Sequence, residues 1–222
     1  MIDFDSFLSE YKNKLAHIFK KENETNGDAL ERGISQDNLT EILTSTPLAS
    51  FIPSEHGGFG GHTAEALSML EASSYESLPL SLMMGINGAL FLQPIANYGT
   101  EAAKNDVFSR VINKGKMGGL MITEPDYGSE ALKMQTSVEY NASNQHYSVK
   151  GTKHWAGLTG MADYWIMTAR EKNSQGELGR DVSFFVHDSR NGGIEVKEYY
   201  NNLGLYMLPY CRNKVDISVP AS

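Results

Sequence analysis

The chain has 222 residues, a formal net charge of -8, and 41% hydrophobic against 21% charged residues. That is enough apolar chain for one large core or two small ones, and it is the composition of a folded protein rather than a disordered one. No lysine or arginine block is present to neutralise phosphates along a groove, which argues against nucleic-acid binding. The single cysteine, Cys211, leaves no intramolecular disulfide, and no basic, apolar leader opens the chain, so a cytoplasmic protein is expected.

The first half reads as helical. Phe4, Phe7, Leu8, Tyr11, Leu15, Ile18 and Phe19 recur at three- and four-residue steps and share one helix face. Polar residues around Asn23–Gly27 end that helix, and a short one is expected over Gln36–Leu43, before Pro47. IPSEHGGFGG (52–61) reads as a loop; no P-loop lysine follows its glycines, so a plain turn is favoured over a phosphate cradle. Thr63 is expected to cap a helix through Tyr75, and Pro79 to open the next one. The stretch Leu78 to Thr100 carries no charge and is long enough to cross a bilayer. Its Pro79, Asn87, Gln93, Pro94 and Asn97 would be costly in lipid, so it is expected as a buried helix and not a membrane span. Thr100 should cap a further helix with Ala103, Val107, Phe108, Val111 and Ile112 on its apolar face, and Gly115 should end it.

After Gly115 the pattern changes. Residues 135–140, 146–151, 164–170, 182–187, 193–199 and 213–219 are short runs rich in β-branched and aromatic side chains, separated by polar turns. The expected class is α+β, with a helical domain (1–115) followed by an antiparallel β-barrel or sandwich domain (116–222). The six histidines show no ligand spacing, so no metal site is expected.

Two segments of the β half carry a possible chemistry: MITEPDYGSE (121–130) and GTKHW (151–155). Gly128 and Ser129, after the rigid Pro125, offer backbone N–H groups and a hydroxyl suited to a diphosphate. Strand amides at Leu120–Thr123 suit the pyrimidine edge of a flavin, which gains negative charge on reduction. The Trp155 indole is large enough to cover one face of such a ring. Singly these signs are weak, since a strand tryptophan is more often core and Gly-Ser turns occur anywhere. Order and spacing decide. T-E-P-x-x-G-S-[DE], followed after twenty residues by G-x-K-x-W, resembles the flavin signature of the acyl-CoA dehydrogenase superfamily. IPSEHGGFGG, Tyr98-Gly99-Thr100, Met161-Ala162-Asp163 and the closing DISVPAS fall in that family's order too.

The resemblance implies an FAD-dependent oxidoreductase of fatty acid metabolism that introduces an α,β double bond into an acyl-CoA thioester. Leu120, Met121, Ile122 and Thr123 would contact the isoalloxazine, Gly128 and Ser129 the diphosphate, and Ser129 also the pantetheine arm of the substrate. Trp155 would cover one flavin face, with Ala156 and Gly157 beside the reactive nitrogen. In similar enzymes the helix corresponding to 78–100 lines the acyl pocket. Leu82, Ile86 and Leu90, at four-residue steps, are therefore expected either as pocket wall or as plain core. Similar enzymes continue into a C-terminal helical domain that carries the catalytic glutamate and builds a homo-oligomer. This sequence stops before it, so no catalytic residue is assigned, Glu124 is read as structural, and the chain alone is expected to be inactive. The electron acceptor would be an electron-transfer flavoprotein or oxygen. Dehydrogenases of the family usually carry serine or threonine where this chain has Gly157, whereas its acyl-CoA oxidases resemble the glycine; Thr159 is the alternative donor. Besides the oxidase, the other reading is a non-catalytic acyl-CoA-binding or scaffold module on the same fold.

Overall fold

A computed structural model describes residues 3–26, 34–173, 175–202, 204–205 and 207–221. The chain groups into two compact units, Met1–Met117 with Asn202–Leu208, and Gly118–Asn201 with Pro209–Ser222.

In the helical unit, α1 (Phe4–Asn26) buries Phe7, Tyr11, Leu15, Ile18 and Phe19, the face its periodicity predicts. Ser35 caps α2 (Gln36–Thr44) by accepting from the Asn38 amide. α3 spans Thr63–Glu76, but Thr63 is its first residue and not its cap. His62 holds the extended capping position and makes no side-chain bond there, so the cap falls one residue earlier than a threonine cap would require. Ser77 caps α4 (Leu78–Asn87), with Pro79 in its first turn. The chain then makes a π-turn over Gly88–Leu92 and returns to α-helix in α5 (Gln93–Tyr98). Periodicity did not show this break. Pro94 has no N–H to give the Leu90 carbonyl, and a widened turn before a proline relaxes the ladder at that point. Leu78–Tyr98 is long and apolar enough to span a membrane, and half of its apolar window is buried inside the unit. Thr100 caps α6 (Glu101–Lys114) through the Ala103 amide, and Gly115 closes it at φ 59°.

In the β unit the strands are β1 (Gly118–Met121), β2 (Ser137–Asn141), β3 (His146–Gly157), β4 (Tyr164–Lys172), β5 (Leu178–Asp188), β6 (Ile194–Tyr199) and β7 (Tyr210–Pro220). They form one sheet in the order β1-β4-β2-β3-β7-β6, with β5 on β4. The sheet is mixed, which corrects the antiparallel expectation. β1 and β2 both run parallel to β4, while every other pair is antiparallel. Side-chain alternation reports which face is buried and carries nothing about strand direction, so this was invisible to pattern reading. Tyr164 to Ala169 of β4 are buried on both faces, and Val138, Val149, Phe185, Val215 and Ile217 complete the core around them.

Candidate flavin site

The two segments singled out in the sequence meet in the β unit. β1 ends at Met121, which is fully buried opposite Met167, and Leu120 pairs with Ile166. Ile122 and Thr123 continue past the ladder as half-buried chain. Glu124 and Tyr127 then exchange backbone hydrogen bonds of 3.2 Å in both directions, closing a tight turn over Pro125-Asp126. Gly128 and Ser129 follow as exposed residues, and a Cβ at Gly128 would meet nothing within 4 Å, so the backbone there is open to a ligand.

β3 fastens this segment from beside. The His154 amide donates to the Thr123 carbonyl at 2.8 Å. The Lys153 Nζ donates to the Ile122 carbonyl at 3.0 Å, to Glu124 Oε1 at 3.2 Å and to the Thr168 hydroxyl at 3.3 Å. Both ends of this ion pair are buried, with side-chain exposures of 0% for Lys153 and 4% for Glu124. Glu124 also accepts from the Gln135 and Thr136 amides at 2.6 and 2.9 Å. Burial pushes its carboxyl up, yet the contacts with Thr136 and Gln135 and the Lys153 charge hold it below the usual carboxylate range. Glu124 is thus a clamp and not a proton acceptor, as its structural reading requires. Gly151 completes the seat: a Cβ there would lie 2.2 Å from the Thr136 hydroxyl oxygen, so only glycine lets the two backbones come this close.

Trp155 owes its position to a β-bulge. Lys153 pairs with Asn213 and Ala156 with Cys211, so His154 and Trp155 together oppose Arg212 alone. Trp155 sits at φ 54°, a strained conformation for an aromatic residue, and its side chain is 50% exposed. Its ring stacks on His154 at 5.1 Å, and it lies 4.8 Å from Tyr200 and 6.1 Å from Tyr210. Burial first, and then the nearby Arg212, hold the His154 imidazole below its ordinary pKa, with Glu198 opposing. A cavity of about 650 Å³ opens beside the turn, bordered by Tyr127, Thr152, Lys197, Arg212 and Lys214 among others. Lys197 and Arg212 are paired with Glu195 and Glu198, so this is not a free cationic cluster.

Residues 20–115 match the family model for the acyl-CoA dehydrogenase N-terminal domain, and residues 119–216 match that for its middle domain. The chain belongs to the acyl-CoA dehydrogenase family. It is 25% identical over 192 residues to the very long-chain specific mitochondrial acyl-CoA dehydrogenase of Rattus norvegicus, covering 85% of this chain and 29% of that protein. Its fold matches butyryl-CoA dehydrogenase from Megasphaera elsdenii with a TM-score of 0.81 at 22% identity, covering 100% of this chain and 58% of the other. It matches the acyl-CoA dehydrogenase from Bacillus anthracis complexed with FAD equally well, with a TM-score of 0.81 at 22% identity over 98% of this chain and 36% of the other. The chain therefore spans less than a third of the rat relative.

The other expected residues fall as follows. Ala156 and Gly157 are buried on β3 opposite Cys211 and Tyr210. Thr159, the alternative donor, is buried, donates to the Ala156 carbonyl at 2.8 Å and accepts from Asn213 at 3.1 Å. In the helical unit Leu82 and Leu90 are 38% and 46% exposed and Ile86 is half-buried, so plain core packing does not account for this face. Sequence reasoning missed the Lys153–Glu124 clamp and the His154 and Tyr200 rings around the tryptophan. Lys153 had a signal, because it falls in alternation with Val149 and Gly151 on the inward side of its strand; Tyr200 had none.

Proposed function

We propose that this chain is the flavin-facing part of an FAD-dependent oxidoreductase that introduces an α,β double bond into an acyl-CoA thioester. The observation that carries the reading is Trp155, half-exposed on a bulge that is hydrogen-bonded directly to the 122–124 segment. A large aromatic surface held outward at a cost in backbone strain fits a planar ring better than it fits a core. Donors at Leu120–Thr123, including the Thr123 hydroxyl, would hold the pyrimidine edge; the amides and hydroxyl of Gly128–Ser129 would hold the diphosphate. Trp155 would exclude water from one ring face, with Ala156 and Gly157 at its edge. Bound there, FAD supplies the acceptor for the β-hydride, while a carboxylate takes the α-proton. The apolar face of Leu82, Ile86 and Leu90 suits an acyl chain. The electron acceptor is an electron-transfer flavoprotein or oxygen, and the occupied Thr159 hydroxyl beside Gly157 keeps the oxidase reading in play.

The test is a titration of the chain with FAD, followed by tryptophan fluorescence, for wild type and Trp155→Leu. Stacking of a planar base on an aromatic side chain is worth about 1–3 kcal/mol, so the variant should bind roughly tenfold more weakly. Saturable binding that Trp155→Leu leaves unchanged would remove the tryptophan from the site. The absence of saturable binding to wild type would sink the flavin reading.

A further inference from the structure

Both side chains of the Lys153–Glu124 pair are buried, with Glu124 at the edge of the cavity beside the turn. A buried ion pair is commonly no better than apolar side chains of the same volume, because removing two charges from water costs as much as their attraction returns. What the lysine does specifically is reach across from β3 to a backbone carbonyl. Its ammonium is 3.0 Å from the Ile122 oxygen, and the adjoining Thr123 carbonyl is taken by the His154 amide at 2.8 Å. In a trans peptide the C=O and the following N–H point in opposite directions. Fastening the Ile122 oxygen to β3 therefore turns the Thr123 N–H away from it. The next amide, Glu124 N–H, is engaged by Tyr127, whereas the Thr123 N–H meets no backbone carbonyl among the described residues.

We propose that Lys153 is a positioning residue for the flavin's pyrimidine edge, acting through the Ile122–Thr123 peptide, whose oxygen it holds and whose N–H it thereby orients and strengthens as a donor. This rests on the flavin reading above. A cation on the carbonyl side of a peptide polarises the unit, so its N–H donates more strongly to an acceptor that is gaining negative charge. The effect favours reduced over oxidised flavin. Glu124 has a separate part: it compensates the ammonium and ties the turn to the Gln135 and Thr136 amides.

The decisive comparison is Glu124→Gln against Glu124→Gln/Lys153→Met, two variants that differ only in the lysine and leave no carboxylate buried without a partner. Each chain is titrated anaerobically with oxidised FAD and with dithionite-reduced FAD, after circular dichroism has established its fold. Glu124→Gln keeps the carbonyl contact and should hold oxidised FAD within about threefold of wild type. Adding Lys153→Met should weaken binding of reduced FAD about tenfold more than that of oxidised FAD, equivalent to about 30 mV for a two-electron couple. Thr168→Val, which removes another partner of the same ammonium without touching the Ile122 contact, should leave the oxidised-to-reduced ratio unchanged. An equal ratio in the two Glu124 variants overturns the inference while leaving the flavin reading intact. The inference also fails if Thr168→Val shifts the ratio as much as loss of the lysine does, because the role is then merely structural. A tenfold loss in Glu124→Gln alone would likewise overturn it, and that arm stands even if the double variant does not fold. If wild type binds neither form of FAD, the flavin reading and this inference fall together.

Discussion

Two imidazoles of the β unit, His154 and His187, favour the neutral form in the folded state. Burial is the first cause of a lowered pKa at both. For His187 the Gly192 carbonyl, 2.8 Å from Nε2, and the Asp188 charge oppose it without reversing it. A folded state that prefers the neutral imidazole binds fewer protons than the unfolded chain once the pH falls below the unfolded value of 6.5. Their stabilisation is therefore complete above that pH and is lost as the pH falls through the folded values. The urea midpoint should be flat from pH 8 to 7 and should decline towards pH 5. His187→Gln, which keeps a donor for Gly192, should make the decline shallower; an unchanged slope in that variant would show that His187 does not contribute. The clamp carboxylate of Glu124 acts in a separate, more acidic window, because its pKa is held below 4.5. At this scale the sequence was informative where a residue type was unusual for its place. A lysine at an inward strand position is such a signal, and an imidazole packed by a tyrosine from a distant part of the chain is not.

Elements were legible wherever a local rule governs them. Thr100 caps a helix and Gly115 closes it, as expected, because each solves an orphaned amide or carbonyl within its own turn; Thr63 was expected to cap as well and lies inside its helix. The π-turn at Gly88–Leu92 and the bulge at His154–Trp155 were not legible, since both depend on what the chain packs against. Gly151 lies between these cases. It belongs to the GTKHW segment, yet its reason is a partner fifteen positions earlier, Thr136. Gly151→Ala would drive a methyl into the Thr136 hydroxyl and backbone, and overpacking of that kind costs about 1–3 kcal/mol. A lowered melting temperature with FAD affinity reduced in parallel is expected. Full stability would mean that β3 can move away from Thr136, and that the close approach is not needed to seat the turn.

For the molecule as a whole, the helical-then-β order and the family were both readable, because they rest on periodicity and on two spaced segments of the β half, and the family models match residues 20–115 and 119–216. Strand direction and the assignment of Asn202–Leu208 to the helical unit were not, because neither leaves a periodic trace. Function is bounded by the same physics. Glu124, one of three acids within the 121–130 segment, is held by a lysine and two amides and has no freedom to collect a proton. A general base contributes about a hundred- to ten-thousand-fold to such a reaction. The 222-residue chain, loaded with FAD and mixed anaerobically with butyryl-, octanoyl- or palmitoyl-CoA, should therefore show no flavin bleaching at an enzyme-like rate. Rapid bleaching would mean that a carboxylate within these residues serves as the base.

The bulge in β3 also sets a rule of parity. Lys153 and Ala156 are both buried although three positions separate them, where plain alternation would send them to opposite faces. The strand thus carries a phase slip between its clamp half and its indole half. Deleting either His154 or Trp155 would make the count even, leaving two inward positions in ordinary alternation and a single residue facing outward between them. The clamp would keep its face, and the paired rings would be reduced to one. A relative of this chain with one residue fewer between the lysine and the following alanine position should therefore be recognisable, by counting alone, as one that presents a single ring on this face.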